Sequence, residues 1–152
     1  FEMVSMVREE VAALYPLALE KTVNLEFFYD KDEIEWRGIP QLMPLLVRNL
    51  IDNSIKYAPD GGQVRVSLKS VDEAGDASQK ISLQIEDNGP GIPESEREAV
   101  FERFYRLNST ASGSGLGLAI VGRVAELLGA KIKLATSPEW GGLLVRVDFP
   151  LL

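Results

Sequence analysis

The stretch Asn49-Leu-Ile-Asp-Asn-Ser-Ile-Lys-Tyr57 decides the fold of this chain, because it completes an apolar run over residues 42–58 that has helical spacing. At about 100° per residue, Asn49, Asn53 and Lys56 fall within about 60° of one another on one stripe. Apolar side chains fall on the opposite side. The helix is therefore expected to pack one face against a core and to present two carboxamides and an ammonium on the other.

The composition limits the class of protein. With 152 residues, 45% hydrophobic and 26% charged, the chain has the size and make-up of one domain over residues 1–152. Its net charge of −7 argues against a surface that binds nucleic-acid phosphates. The absence of cysteine excludes disulfides and thiolate metal sites. The absence of histidine excludes histidine-based triads, most zinc sites and a phosphohistidine acceptor within the chain.

The sequence carries no signal for a membrane segment. No apolar run approaches the roughly 18 residues of a membrane helix, and no secretory signal pattern opens the chain. We therefore expect a domain that makes no membrane contact of its own. A start at Phe1, without an initiator methionine, suggests a piece of something longer.

Hydrophobic periodicity divides the chain into helices and strands. Helices are expected at residues 2–21, 42–58 and 116–128, with a short one within 93–104. Pro16 is expected to kink or split the first helix, whereas Pro44 is tolerable in the first turn of the second. Strands are expected at residues 24–29, 63–69, 80–86, 131–136 and 143–149, with a short additional strand marked by Ile34 and Trp36.

The strands share one property, an apolar face opposite a polar face. In residues 63–69, for example, Val64, Val66 and Leu68 alternate with polar side chains. A sheet with one wet face carries helices on only one side. The expected fold is therefore a two-layer α/β sandwich, with a mixed, mainly antiparallel sheet covered on one face by about three helices.

Asp87 follows three apolar strand residues in period two, so the strand aims its carboxylate at the helix layer. A carboxylate placed there needs hydrogen-bond donors. The residues that follow, Asn88-Gly-Pro-Gly91, can turn sharply and approach a ligand closely. Two interpretations stay open from these residues alone. Asp87 caps the N–H groups of a strand-ending turn, or it accepts a hydrogen bond from an amine-bearing ligand such as adenine.

The glycine-rich segment Gly113–Leu118 opens the helix of residues 116–128. Unpaired N–H groups and the helix dipole make such an end a candidate anion site, although a glycine-rich turn alone is a weak signal and more often has only a structural role. It fails as a dinucleotide fingerprint, because no strand precedes it and position 118 is Leu118. It fails as a P-loop, because no Gly-Lys-Ser/Thr follows.

The polar stripe of the central helix also admits two interpretations. It is a solvated helix edge, or its carboxamide oxygens ligate Mg²⁺ while Lys56 meets phosphate charge and Tyr57 flanks a base. Asparagine is a poor choice for a helix interior on propensity alone. The joint occurrence of the stripe, Asp87 and the segment Gly113–Leu118 favours a binding site.

These stretches together resemble the ATP-binding catalytic domain of bacterial sensor histidine kinases, a Bergerat-type fold also found in gyrase, Hsp90 and MutL-like ATPases. Asn49–Tyr57 resembles the asparagine box, and Asp87–Ile92 resembles the first glycine box. Phe101–Arg106 resembles the phenylalanine box, and Gly113–Leu118 resembles the second glycine box. The resemblance spans nearly all of the chain.

The resemblance implies a role for each residue of the polar stripe. Asn53 would ligate Mg²⁺, Asn49 would support the metal or the phosphates, and Lys56 would contact phosphate. Tyr57 would pack on adenine, and Asp87 would accept a hydrogen bond from the adenine 6-amino group. ATP and Mg²⁺ are thus the implied ligands.

The remaining boxes imply further nucleotide contacts, at Gly89, Gly91, Ile92, Gly113, Gly115, Leu116, Gly117 and Leu118. Residues 105–114 would form a short ATP lid. Arg103 and Arg106 would reach the γ-phosphate or the partner domain. The segment Gly141-Gly-Leu143 departs from the family's usual glycine–threonine pair, and no ligand role is assigned to it.

Asn49 indicates the branch of the fold. Hydrolytic members carry a glutamate four residues before the metal-binding asparagine, where it acts as general base for water. Here that position is Asn49, and a carboxamide cannot take a proton from water near neutral pH. The residue argues for phosphoryl transfer to a protein side chain, in which positioning and charge neutralisation supply most of the catalysis.

The resemblance further implies a histidine acceptor on a separate dimerisation domain and a downstream response regulator. The chain would then be the cytoplasmic catalytic domain of an inner-membrane sensor protein, without a nucleic-acid partner and unable to phosphorylate itself on histidine. Two alternatives remain at this point. One is an ATP-hydrolysing protein with a different base, and the other is a non-enzymatic nucleotide-sensing or partner-binding module.

Overall fold

A computed structural model describes residues 1–72, 79–102 and 117–150 of the chain. The helices in this part are α1 (Met3–Glu20), α2 (Met43–Tyr57) and α3 (Gly117–Leu128). The strands are β1 (Asn24–Tyr29), β2 (Gln63–Asp72), β3 (Gln79–Asp87), β4 (Lys131–Thr136) and β5 (Leu143–Phe149). Two short 3₁₀ turns, Glu94–Glu96 and Ala99–Phe101, follow β3.

The five strands form one sheet in the order β1-β2-β3-β5-β4. β1 and β2 are parallel, and the chain crosses between them through α2, as a parallel connection requires. The other neighbours are antiparallel, which confirms the expected mixed, mainly antiparallel sheet. The pairing of Val64 with Asp87 places the carboxyl end of β3 beside the start of β2.

The alternation in the strands becomes one buried sheet face. Val66 on β2 pairs with Ile85 on β3, which pairs in turn with Val145 on β5, and each is at most 2% exposed. Leu50 and Ile55 of α2 are equally buried in the same core. Burying one such side chain contributes about 1.5–3 kcal/mol. The core therefore holds α2 over the sheet and fixes which face of the helix stays polar.

The start of α1 is capped by an unusual residue for that position. The Glu2 carboxylate accepts hydrogen bonds from the N–H groups of Val4 and Ser5, each at 2.8 Å. It also accepts from the N–H of Ile34 at 2.8 Å. One carboxylate thus satisfies orphan donors at the helix start and ties the helix to a distant segment.

Two expectations about local structure were wrong. Pro16 does not split the first helix, because it lies inside α1, which runs unbroken from Met3 to Glu20. Ile34 and Trp36 form no named strand; a single bridge joins Glu2 to Glu35, because the residues opposite turn at once into α1. The short helix expected within residues 93–104 is present from Glu94 as a 3₁₀ helix, Glu94–Glu96, and a second one follows at Ala99–Phe101.

Other expectations were confirmed or extended. Pro44 lies in the first turn of α2, where a missing N–H costs nothing. β2 and β3 reach further than residues 63–69 and 80–86, and pair as far as Asp72 with Gln79. In the part of the chain that the structure describes, no helix is both long and apolar enough to cross a membrane.

Candidate functional site

A cleft opens between α2 and the adjacent ends of β3 and β5. The sheet order makes this possible, since β3 and β5 are neighbours and α2 packs over β2 and β3. The cleft is lined by residues of α2, of the end of β3 and the turn after it, and of the start of β5: Asn53, Tyr57, Asp87, Pro90, Gly91, Ile92 and Leu143. The structure therefore brings together five residues that the two boxes separate in sequence, namely Asn53, Tyr57, Asp87, Gly91 and Ile92.

Asp87 is 2% exposed and lines this cleft. Its Oδ1 accepts hydrogen bonds from the N–H of Gly89 at 2.9 Å and from the N–H of Leu143 at 3.2 Å. Burial raises the pKa of the Asp87 carboxyl above its ordinary value, and these two N–H groups, with the Ser54 hydroxyl, partly oppose that rise. A buried carboxylate held in this way can accept from an amine on a ligand.

Two glycines are required where the backbone closes around Asp87. A Cβ at Gly89 would lie 2.7 Å from the carbonyl oxygen of Tyr57. A Cβ at Gly142 would lie 2.1 Å from the carbonyl oxygen of Asp87 itself. Neither neighbour is a flexible side chain, so both positions need glycine. At Gly89 the close approach is to the end of α2.

The polar stripe of α2 divides into parts with different surroundings. The Asn49 amide donates to the carbonyl oxygen of Leu45 at 2.7 Å, and its Oδ1 lies 3.5 Å from where a Cβ at Gly117 would be. Asn53 lines the cleft. The Lys56 ammonium lies 3.0 Å from a carboxylate oxygen of Asp52, one helical turn back. The stripe therefore reaches from the cleft to the first residue of α3.

The amino end of α3 faces this stripe. Gly117 is the first residue of the helix and Leu118 the second, and the Leu118 side chain packs partly against the core. The N–H groups at such an end lack intrahelical partners and favour an anion. The other predicted contacts near this end, Gly113, Gly115 and Leu116, lie outside the described residues, as do Arg103, Arg106 and the segment 105–114.

The carboxamides suit a hard divalent cation. Because the Asn49 amide nitrogen is engaged by Leu45, its oxygen is the atom directed away from its own helix. Carboxamide oxygens and phosphate oxygens are ligands that Mg²⁺ accepts. Among the described residues no three His, Cys, Asp or Glu side chains form a metal cluster. A cation here would therefore be held by carboxamides together with the phosphates of a nucleotide.

Sequence reasoning missed several residues that shape the cleft. Leu143 lines it and donates its N–H to Asp87, although no ligand role had been assigned to this segment. A main-chain donor leaves no trace in a sequence, because every residue except proline has one. The Lys21 ammonium donates hydrogen bonds to the carbonyl oxygens of Ile55 and Lys56 and so caps the end of α2 next to Tyr57. This contact spans more than 30 residues of sequence and has no local signal.

Comparison with known proteins finds similarity to ATPases and sensor kinases. A family model described as histidine kinase-, DNA gyrase B-, and HSP90-like ATPase matches residues 38–152. The swarming motility regulation sensor protein RssA of Serratia marcescens is 35% identical over 141 residues, which are 92% of this chain and 29% of that protein. The sensor protein kinase PmrB of Pseudomonas aeruginosa is 34% identical over 150 residues, 97% of this chain and 30% of that protein.

Solved structures give the same architecture. The mycobacterial sensor histidine kinase MprB superposes with a TM-score of 0.80 at 29% identity, covering 99% of this chain and 95% of that one. The catalytic domain of histidine kinase ThkA superposes with a TM-score of 0.84 at 20% identity, covering 99% and 93%, and shows the fold alone. The chain spans about 30% of the length of the two curated relatives.

Proposed function

The chain belongs to the family of histidine kinase-, DNA gyrase B- and HSP90-like ATPases, and we propose that it binds ATP with Mg²⁺ and donates the γ-phosphoryl group to a histidine on a separate dimerisation domain. Residues 1–152 would form a single catalytic domain of a two-component sensor kinase. The chain contains no histidine, so the acceptor must lie elsewhere.

One observation carries the proposal, the buried carboxylate of Asp87 in a cleft that Asn53 and Tyr57 also line. Adenine offers an exocyclic amine to a carboxylate and an aromatic face to Tyr57. Guanine has a carbonyl oxygen at the equivalent position, which would face the Asp87 carboxylate as a second acceptor. The cleft therefore favours adenine over guanine.

The phosphates would run from this cleft along the polar stripe towards α3. Asn53 and Asn49 would hold Mg²⁺, and Lys56 and the N–H groups at Gly117 would meet the phosphates. The bound cation would supply charge neutralisation at the phosphates. Arg103, Arg106, Gly113, Gly115, Leu116 and Leu118 complete the proposed set, with residues 105–114 as a lid.

Asn49 favours transfer over hydrolysis. Its side chain lies next to Gly117, where the phosphates would run, and a carboxamide cannot take a proton from water. Asp52 is the other group on this face that could serve as a base, but its carboxylate is paired with Lys56 at 3.0 Å. We therefore place the chain among the kinases of the family. A response regulator would receive the phosphate from the histidine, and the whole protein would be a membrane-anchored sensor with this domain in the cytoplasm.

Calorimetric titration of the chain with ATP, ADP and GTP, each with and without Mg²⁺, tests the binding half of the proposal. We expect ATP-selective binding that Mg²⁺ strengthens. Transfer is tested by mixing the chain with the separately expressed dimerisation domain, which carries the acceptor histidine, and labelled ATP. Formation of phosphohistidine is the expected result. Steady phosphate release by the isolated chain would support a hydrolase instead, and binding without any transfer would support a sensing module.

A further inference from the structure

The charges of α2 cancel on the side that faces the proposed phosphate site. The helix carries three charged residues, Arg48, Asp52 and Lys56. Arg48 is committed elsewhere, because its Nε and Nη2 donate to the Glu10 carboxylate at 3.0 and 3.2 Å. Lys56 is paired with Asp52 at 3.0 Å. The stripe thus presents one cation and one anion in contact.

The Asp52–Lys56 pair is partly shielded from solvent. The side chain of Lys56 is 37% exposed and that of Asp52 is 29% exposed. At this degree of exposure a charge acts over several ångströms more strongly than in bulk water. A phosphate that approaches Lys56 therefore also meets the negative charge of Asp52. The carboxylate competes for the ammonium and repels the phosphate at the same time.

We propose, building on the proposed function, that Asp52 strengthens the dependence of nucleotide binding on a divalent cation. While Asp52 neutralises Lys56, α2 offers no net positive charge to a triphosphate. A divalent cation changes this balance, since it is attracted by the phosphates and by Asp52 together. Asp52 is thus a specificity-determining residue that disfavours metal-free nucleotide, and it acts through charge without being a ligand of adenine.

The test compares ATP in the presence of EDTA, ATP with Mg²⁺, and adenosine, each titrated calorimetrically into the wild-type chain and Asp52→Asn. We expect the substitution to tighten binding of metal-free ATP about threefold to tenfold. Binding of ATP with Mg²⁺ should change by less than about twofold, because the lost attraction for the cation offsets the lost repulsion. Adenosine has no phosphate, so its affinity should not change.

Three further variants separate charge from structure. Asp52→Glu keeps the negative charge and should keep the wild-type ratio of affinities with and without Mg²⁺. Asp32→Asn removes an exposed carboxylate from the turn after β1, at the opposite end of the sheet from Asp87, and should also keep that ratio. Lys56→Gln leaves Asp52 unpaired. It should weaken the binding of metal-free ATP more than the binding of ATP with Mg²⁺, so that the gain in affinity from Mg²⁺ becomes larger.

The possible results are distinct. An unchanged Mg²⁺ ratio in Asp52→Asn, weaker binding of metal-free ATP, or an equal shift for adenosine would overturn the role of Asp52 while leaving the proposed function intact. Failure of the wild-type chain to bind ATP under either condition would overturn the proposed function and this inference with it. Should Asp52→Asn not fold, a reduced or unchanged Mg²⁺ gain in Lys56→Gln would still contradict the proposal.

Discussion

The main-chain N–H of Leu143 lies 3.2 Å from Oδ1 of Asp87, so the first residue of β5 holds the carboxylate that ends β3. The second main-chain donor to that oxygen is the N–H of Gly89. Because both donors belong to the backbone, the position of the carboxylate depends on the backbone conformation of two turns, the one after β3 and the one before β5. The turn before β5 is itself closed by hydrogen bonds between Ser137 and the main chain of residues 141 and 142.

Asp87→Asn is expected to weaken ATP binding about tenfold or more. The amide can keep accepting from the two N–H groups, but it replaces an ionic acceptor for the adenine amine by a weaker one. Calorimetric titration with ATP and adenosine measures the effect, which should be equal for both ligands. Equal affinity of the variant and the wild type would refute the role of Asp87.

The same variant is expected to be more stable than the wild type at neutral pH. Burial raises the pKa of Asp87 above the ordinary value of 3.8, so the protonated carboxyl is favoured by folding. That contribution is fully present below about pH 3.8 and is lost as pH rises through the raised value. Thermal unfolding of the nucleotide-free protein should therefore give a higher midpoint for Asp87→Asn at pH 7, with the difference shrinking on acidification. A lower midpoint at pH 7 would contradict this.

Gly142→Ala should lower the free energy of unfolding by about 1–3 kcal/mol and weaken nucleotide binding. The added Cβ would lie 2.1 Å from the Asp87 carbonyl oxygen, so the start of β5 must move and take the Leu143 donor with it. Gly122→Ala is the matched control. Gly122 lies inside α3, and a Cβ there would lie 3.5 Å from the Phe101 side chain, an ordinary van der Waals distance. This substitution should leave the free energy of unfolding unchanged or raise it by up to about 1 kcal/mol. Equal behaviour of the two variants would show that the close contact is not limiting.

Asn53→Ala should reduce the gain in ATP affinity that Mg²⁺ provides, because it removes a carboxamide oxygen from the edge of the cleft. Titrations with and without Mg²⁺ measure that gain. Adenosine serves as the internal control, and its affinity should be nearly that of the wild type. An unaltered Mg²⁺ dependence would count against Asn53 as a metal ligand.

Arg48→Ala should cost about 1–2 kcal/mol of stability, measured by urea unfolding. It leaves the Glu10 carboxylate, whose side chain is 10% exposed, without its bidentate partner between α1 and α2. Arg123→Ala breaks a pair with Glu126 in which both side chains are about 70% exposed, and should cost less than about 0.5 kcal/mol. A loss for Arg48→Ala no larger than for Arg123→Ala would show that burial of Glu10 does not matter.

The layers of the fold were predictable because their signal is local. Residues such as Val66 and Ile85 alternate with polar neighbours within their own strands, and the sheet has one buried face to receive them. Ile34 and Trp36 show the opposite case. Their alternation suggested a strand, but their partners are residues 1–3, which leave the extended conformation at once to begin α1.

The candidate site was only partly predictable for a similar reason. Asn53 is a poor helix former inside a helix, and Asp87 is a carboxylate at a strand position that faces the core. Both can therefore be recognised from the sequence. Leu143 contributes a main-chain N–H, and Gly142 contributes the absence of a side chain next to the Asp87 carbonyl oxygen. Neither contribution belongs to a sequence motif, so neither can be recognised until the pairing of the strands is known. The pairing of Lys56 with Asp52 has the readable spacing of four residues, but spacing alone does not show that the contact forms.

The two tryptophans of the chain provide optical probes of different regions. Trp36 is 3% exposed, packs edge-on against Phe1 and donates its indole N–H to the carbonyl oxygen of Pro150 at 2.8 Å. Trp140 is half-buried in the turn that leads into Leu143. Emission from Trp36 should be blue-shifted and follow separation of the two ends of the described chain, whereas emission from Trp140 should follow the turn beside the cleft. Intrinsic fluorescence can therefore distinguish unfolding of the domain from rearrangement of its binding edge without any added label.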